Sequence, residues 1–150
     1  MMKSLSLSRI AVPLEGVLKG ADVVFDSVSI DSRRILPGQL FVALRGDRFD
    51  GHDYLAQAAG QGAVAAITGC NVEAVALPQL VVADTGAALS RLGAFNRDEF
   101  QGPVAAITGS SGKTTVKEML ASILSVRGPV LATRGNLNNE IGVPLPLLDL

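Results

Sequence analysis

The residues with the most chemical content are Thr108-Gly109-Ser110-Ser111-Gly112-Lys113-Thr114-Thr115. An apolar run, Val104-Ala105-Ala106-Ile107, precedes them, and a helix-like stretch from Val116 to Leu124 follows. A buried strand, a glycine-rich turn and a helix in that order make a phosphate cradle. The glycines let backbone N–H groups close around an anion, and the helix N-terminus adds partial positive charge. In such a cradle Lys113 reaches the β/γ-phosphates, and the Thr114 hydroxyl faces the Mg²⁺ that accompanies them. The chemistry expected is that of ATP or a close analogue.

The loop departs from the general G-x-x-x-x-G-K-[ST] form, which asks for glycine where Ile107 stands. What remains is the tighter G-x-x-G-K-T-T, starting at Gly109. An ordinary strand-to-helix turn is the competing reading, and the flanking strand and helix patterns count against it.

These residues need elements to hold them. The chain has 150 residues, 48% apolar and 18% charged, enough to bury a core. Formal net charge is −1, and Arg33-Arg34 is the only basic patch, which argues against nucleic acid as a main partner. The single cysteine, Cys70, excludes an internal disulfide framework and an all-cysteine zinc site, and reads as a small buried residue. Tyr54 to Val72 carries no charge, but Gln57, Gly60, Gln61, Gly62, Thr68 and Gly69 interrupt it as a membrane span. Met1 to Arg9 lacks a signal-peptide core. A cytoplasmic protein is expected, and a monomer.

Leu5 to Leu18 reads as a short helix or irregular entry, broken near Pro13. Val23-Val24-Phe25 and Val28-Ser29-Ile30 read as short strands, with a turn at Leu36-Pro37-Gly38. Leu40 to Leu44, Ala63 to Thr68 and Gln79 to Ala83 read as buried strands. Asp53 to Gly60 reads as a helix begun near Asp50 or His52. Asp84-Thr85-Gly86 opens a helix from Ala87 to Phe100, with Leu89, Leu92 and Phe95 on one face. Val104 to Ile107 and Val130-Leu131-Ala132 would be strands of a further, largely parallel sheet, and Thr133 to Glu140 a polar loop.

The fold class is therefore α/β, divided at 1–84, a linking helix at 85–101, and a second unit at 102–150. That second unit shows only about two strands where a P-loop sheet ordinarily has around five. The chain also stops at Leu147-Leu148-Asp149-Leu150 in what reads as mid-helix. The expectation is the N-terminal piece of a longer enzyme.

Three segments carry a resemblance. One is Asp31-Ser32-Arg33 with Pro37-Gly38-Gln39-Leu40-Phe41-Val42-Ala43-Leu44 and Asp50-Gly51-His52-Asp53. Another is the phosphate loop through Glu118, and the last is Gly135-Asn136-Leu137-Asn138-Asn139-Glu140-Ile141-Gly142-Val143-Pro144. In this order and spacing the chain resembles the Mur ligases, ATP-dependent amide-forming enzymes of peptidoglycan precursor synthesis. The loop form and the asparagine run are most similar to members that add D-Ala-D-Ala to UDP-N-acetylmuramoyl tripeptide.

The resemblance implies a small N-terminal α/β domain for the UDP-substrate, followed by the start of a P-loop, mainly parallel-sheet ATP-binding domain. It implies an acyl phosphate formed on the tripeptide carboxylate, then attack by the D-Ala-D-Ala amine. By the same resemblance Lys113 would be the catalytic cation, Gly109, Ser110, Ser111, Gly112, Lys113, Thr114 and Thr115 would bind ATP, and Thr114 would bind Mg²⁺. Ser32, Arg33, Arg48, Asp50 and His52 would meet the UDP-substrate, since Arg suits bidentate phosphate contact and loops after buried strands carry ligands. Asn136, Asn138 and Asn139 would line the site near the muramoyl-peptide.

Plainer readings stand beside these. Asp31 and Ser32 suit a turn, Asp50 and Asp53 a helix start, His52 the first residues of a helix, and the asparagines a left-handed turn. Three other functions also remain open: a P-loop kinase or NTPase, the family member adding the third amino acid, and a non-catalytic nucleotide-binding module.

Overall fold

A computed structural model of the chain describes residues 3–133 and 142–150. In chain order the elements are β1 (Leu5–Ser6), α1 (Leu7–Ala11), β2 (Val17–Lys19), β3 (Val24–Phe25), β4 (Ser27–Ser29) and β5 (Gln39–Val42). A 3₁₀ turn (Gly51–Tyr54), α2 (Leu55–Gln61), β6 (Ala65–Thr68), β7 (Gln79–Val81), α3 (Thr85–Glu99), α4 (Lys113–Ser125) and α5 (Pro144–Leu147) follow.

β4 to β7 form a parallel sheet, and β2 adds an antiparallel edge beside β7, giving the order β2-β7-β6-β5-β4. Val28 pairs with Leu40, Leu40 with Ala65, and Ile67 with Leu80. Side chains alternate across a strand, so both faces of the buried strands are apolar. Leu40, Val42, Leu44, Ala65 and Ile67 point to one face. There they meet Leu7 and Ile10 of α1, Phe25, and Ala88, Leu89 and Leu92 of α3. Phe41, Ala43 and Ala66 point to the other face and meet Ile35, Leu55, Ala58 and Ala63. The sheet is thus the middle layer, with α1 and α3 on one side and α2 on the other.

The α3 start follows from chemistry local to Asp84. Its carboxylate accepts from the N–H groups of Gly86 (2.8 Å) and Ala87 (2.9 Å), satisfying donors that a helix start leaves unpaired. At its far end α3 packs against α5. Gly93 lies against the Pro144 backbone, and Asn96 Nδ2 donates to the Leu147 carbonyl at 2.8 Å.

Several expected elements differ. The entry is split, α1 being followed by β2, whose antiparallel partner β7 defines it. Val104 to Ile107 and Val130 to Ala132 are not strands, and both are largely exposed. A parallel strand needs neighbours to take up its N–H and C=O groups, and neither segment has one among the described residues. The parallel strands accordingly lie between Ser27 and Val81. The final helix ends at Leu147, with Pro144 at its start, where the missing N–H costs nothing. Cys70 is exposed, because it follows β6 on the loop that leaves the sheet.

Candidate functional site

The carboxyl ends of β4, β5, β6 and β7 deliver Asp31-Ser32-Arg33, the Arg45–Asp50 loop, Gly69 and Asp84 to one side of the sheet. Outside such ends an open α/β sheet gathers its ligands. A crevice of about 1130 Å³ lies there, lined by Leu44, Arg45, His52, Gly69, the start of α3, Arg91, and Val143, Pro144 and Leu147.

The Asp50-Gly51-His52 triplet shapes one wall. Asp50 Oδ1 accepts from the His52 N–H at 3.0 Å and lies 2.5 Å from His52 Nδ1. Asp50 Oδ2 accepts from Arg45 Nε at 2.8 Å. Gly69 N–H donates to His52 Nε2 at 2.7 Å, so the ring carries its proton on Nδ1, facing Asp50. The His52 backbone N–H, then its ring, then Arg45 hold the Asp50 carboxyl down at about 2. Gly51 is buried beneath the end of β5, where a Cβ would lie 2.8 Å from the Leu44 carbonyl oxygen. No other residue type fits that approach.

At the end of β4, Arg33 turns back on Asp31, with Nε–Oδ1 at 2.8 Å and Nη2–Oδ2 at 2.9 Å. Hydrogen bonds from the Arg33 side chain, then its backbone, bring the Asp31 carboxyl to about 2. Ser32 is turned inward, and its hydroxyl donates to Gln57 Oε1 at 3.4 Å. Arg48 is exposed on the loop after β5.

The segment read as a phosphate loop runs directly into α4. Gly112 precedes the helix with φ 75°, in the left-handed region that favours glycine. Nothing lies within 4 Å of where its Cβ would be, so the loop is open to solvent there. Lys113 starts the helix, and its amine donates to the Gly109 carbonyl. Thr114 and Thr115 follow in the first turn. Lys117 Nζ donates to the Thr133 carbonyl at 2.5 Å, which ties α4 to that residue. Asn136, Asn138 and Asn139 lie outside the described residues.

Residues 24–97 match the Mur ligase family catalytic domain, and residues 107–150 match the Mur ligase middle domain. Over 149 residues the chain is 50% identical to UDP-N-acetylmuramoyl-tripeptide–D-alanyl-D-alanine ligase of Escherichia coli (strain K12), covering 99% of this chain and 33% of that one. The chain belongs to the Mur ligase family. A solved Mur ligase, UDP-N-acetylmuramoylalanyl-D-glutamyl-2,6-diaminopimelate–D-alanyl-D-alanyl ligase from Acinetobacter baumannii, superposes with a TM-score of 0.90 at 42% identity. That match covers 99% of this chain and 34% of the other. MurF ligase from Thermotoga maritima, solved with ADP, gives a TM-score of 0.72 at 37% identity, covering 81% of this chain and 28% of its own. The chain spans about a third of the length of the Mur ligase relatives it matches.

Against this Mur ligase frame, the structure joins Arg45, Asp50 and His52 by hydrogen bonds, with Arg45 and His52 on the crevice, and sets Asp31, Ser32 and Arg33 at the end of β4, an outer strand. Arg45, Gly69, Asp84 and Arg91 escape a reading by motif. Arg45 had one signal in the sequence: it is a cation on the residue after a buried strand, five positions before a carboxylate. Arg91 and Gly69 reach the crevice only through the sheet order.

Proposed function

We propose that the protein carrying this chain is an ATP-dependent ligase that joins D-Ala-D-Ala to UDP-N-acetylmuramoyl tripeptide in peptidoglycan precursor synthesis. Near-complete coverage of the chain at 50% identity to an E. coli ligase of that name carries the reading. The phosphate loop on α4 and the crevice at the strand ends supply the two binding functions it needs. Residues 1–84 would hold the nucleotide substrate, 85–101 link, and 102–150 begin the ATP unit.

A carboxylate is a poor electrophile until one oxygen becomes a leaving group. ATP supplies that by passing its terminal phosphoryl group to the tripeptide carboxylate; the amine nitrogen then bonds to the carbonyl carbon as phosphate and a proton leave. Gly109 to Gly112 present N–H groups to phosphate oxygens, and Lys113 holds a positive charge among them before reaction, where it stabilises charge building in the transition state. The Thr114 hydroxyl would hold Mg²⁺ jointly with the nucleotide phosphates. No cluster of three or more His, Cys, Asp or Glu among the described residues offers a protein-only metal cage. Arg33, Arg48 and Ser32 are the candidate contacts of the UDP-substrate, and Asn136, Asn138 and Asn139 those nearer the peptide. We place the activity in the cytoplasm, where ATP and the nucleotide-linked precursor meet.

The test is ADP release by the full-length protein. Release that needs both UDP-muramoyl tripeptide and D-Ala-D-Ala supports the ligase. ATP turnover indifferent to either substrate contradicts it and restores the kinase or NTPase reading.

A further inference from the structure

We propose that Asp50 and His52 are positioning residues for Arg45, which they hold at the crevice rim to meet the anionic group of the nucleotide substrate. This rests on the ligase reading above. The geometry is a chain of three links across two strand ends. Gly69, just past β6, donates its N–H to His52 Nε2 at 2.7 Å. His52 Nδ1 faces Asp50 Oδ1 at 2.5 Å, and the other Asp50 oxygen accepts from Arg45 Nε at 2.8 Å. Both ring nitrogens of His52 are thus engaged by protein groups, and its side chain is only 9% exposed. A ring so enclosed orients a neighbour more readily than it meets a ligand.

Arg45 is placed the other way. Its side chain is 69% exposed and it lines the crevice, so one edge of the guanidinium is fixed by Asp50 while the other donors remain open to solvent. A planar guanidinium held along one edge presents the rest in a defined direction, which suits an oxyanion such as a phosphate. Gly51 completes the device. Its N–H donates to the Leu44 carbonyl at 2.8 Å, which keeps the triplet tight under the end of β5.

The experiment is steady-state kinetics on the full-length protein with UDP-muramoyl tripeptide, ATP and D-Ala-D-Ala. Arg45→Gln, a change at an exposed side chain, should raise KM for the nucleotide substrate about tenfold or more while leaving KM for ATP and kcat nearly unchanged. His52→Ala should raise the same KM. His52→Gln, whose amide oxygen can accept from Gly69, should recover most of that loss. Because His52 acts through Arg45, His52→Ala should add little in an Arg45→Gln background.

Unchanged KM in Arg45→Gln overturns the proposal, as does a full and additive His52→Ala effect in the double variant. If His52→Ala fails to fold, the Arg45→Gln arm still decides. A wild-type protein that ignores the nucleotide substrate overturns the ligase reading and this inference with it. A wild type that uses the substrate beside an equally competent Arg45→Gln overturns this inference alone.

Discussion

Lys113 is the residue on which the proposed chemistry turns. It starts α4 directly after the left-handed Gly112, and its amine lies over the loop at the Gly109 carbonyl. Removing one preorganised charge or donor from such a site typically costs on the order of 10²–10³ in rate. Lys113→Ala in the full-length protein should therefore lower kcat/KM for ATP by at least that factor. Calorimetric titration should show UDP-muramoyl tripeptide binding largely intact. Asp50 makes a second prediction. Its carboxyl is held at about 2 against an ordinary 3.8, so the folded state binds its proton less readily than the unfolded one. That contribution to stability is complete above the ordinary value and is lost as pH falls through about 2. Urea midpoints of wild type and Asp50→Asn should differ at neutral pH and converge between about pH 4 and pH 2. The residues behind both predictions were legible in the sequence, since the phosphate loop and the Asp-Gly-His triplet are local patterns. Arg45 carried only the weak signal of a cation after a buried strand, because its part depends on where β6 sets Gly69 against His52 of the 3₁₀ turn.

At the scale of elements, the α3–α5 contact joins the helix that covers the sheet to the segment after the asparagine run. A Cβ on Gly93 would lie 3.1 Å from Pro144 Cα and 3.2 Å from its carbonyl oxygen, and backbone atoms at a helix start yield little. Gly93→Val adds branching carbons to that approach. Overpacking of this kind costs about 1–3 kcal/mol, and relief of a mid-helix glycine returns at most about 1 kcal/mol. A lower urea midpoint is expected, and an unchanged or higher one would show that the contact is loose. Strands β5, β6 and β7 were legible because their apolar runs are buried on both faces. β2 was not, because three residues carry no period and only pairing with β7 defines them. The converse failure is Val104 to Ile107, whose strand-like composition finds no neighbour among the described residues. α4 shows the same dependence on context. It forms as predicted yet buries none of its residues, leaving Val116, Met119 and Ile123 exposed. Local sequence specified the helix, while no element among the described residues buries that apolar face.

At the scale of the molecule, the chain holds a covered parallel sheet with a crevice at its strand ends, followed by a glycine-rich loop that leads into α4, none of whose residues is buried. It spans about a third of its relatives. The 150-residue chain by itself should show no D-Ala-D-Ala-dependent ATP turnover, and such turnover would mean that α4 and the loop suffice for chemistry. Fold class and family motifs were readable from the chain, whereas the sheet order that assembles the crevice came only with the structure. The central claim is an activated carboxylate on the nucleotide-linked peptide. Its most direct test gives the full-length protein UDP-muramoyl tripeptide labelled with ¹⁸O in the terminal carboxylate, together with ATP and D-Ala-D-Ala, and weighs the phosphate released. The account predicts ¹⁸O in that phosphate, because the carboxylate oxygen departs with it when the amine attacks. Unlabelled phosphate, with amide product formed, would contradict it.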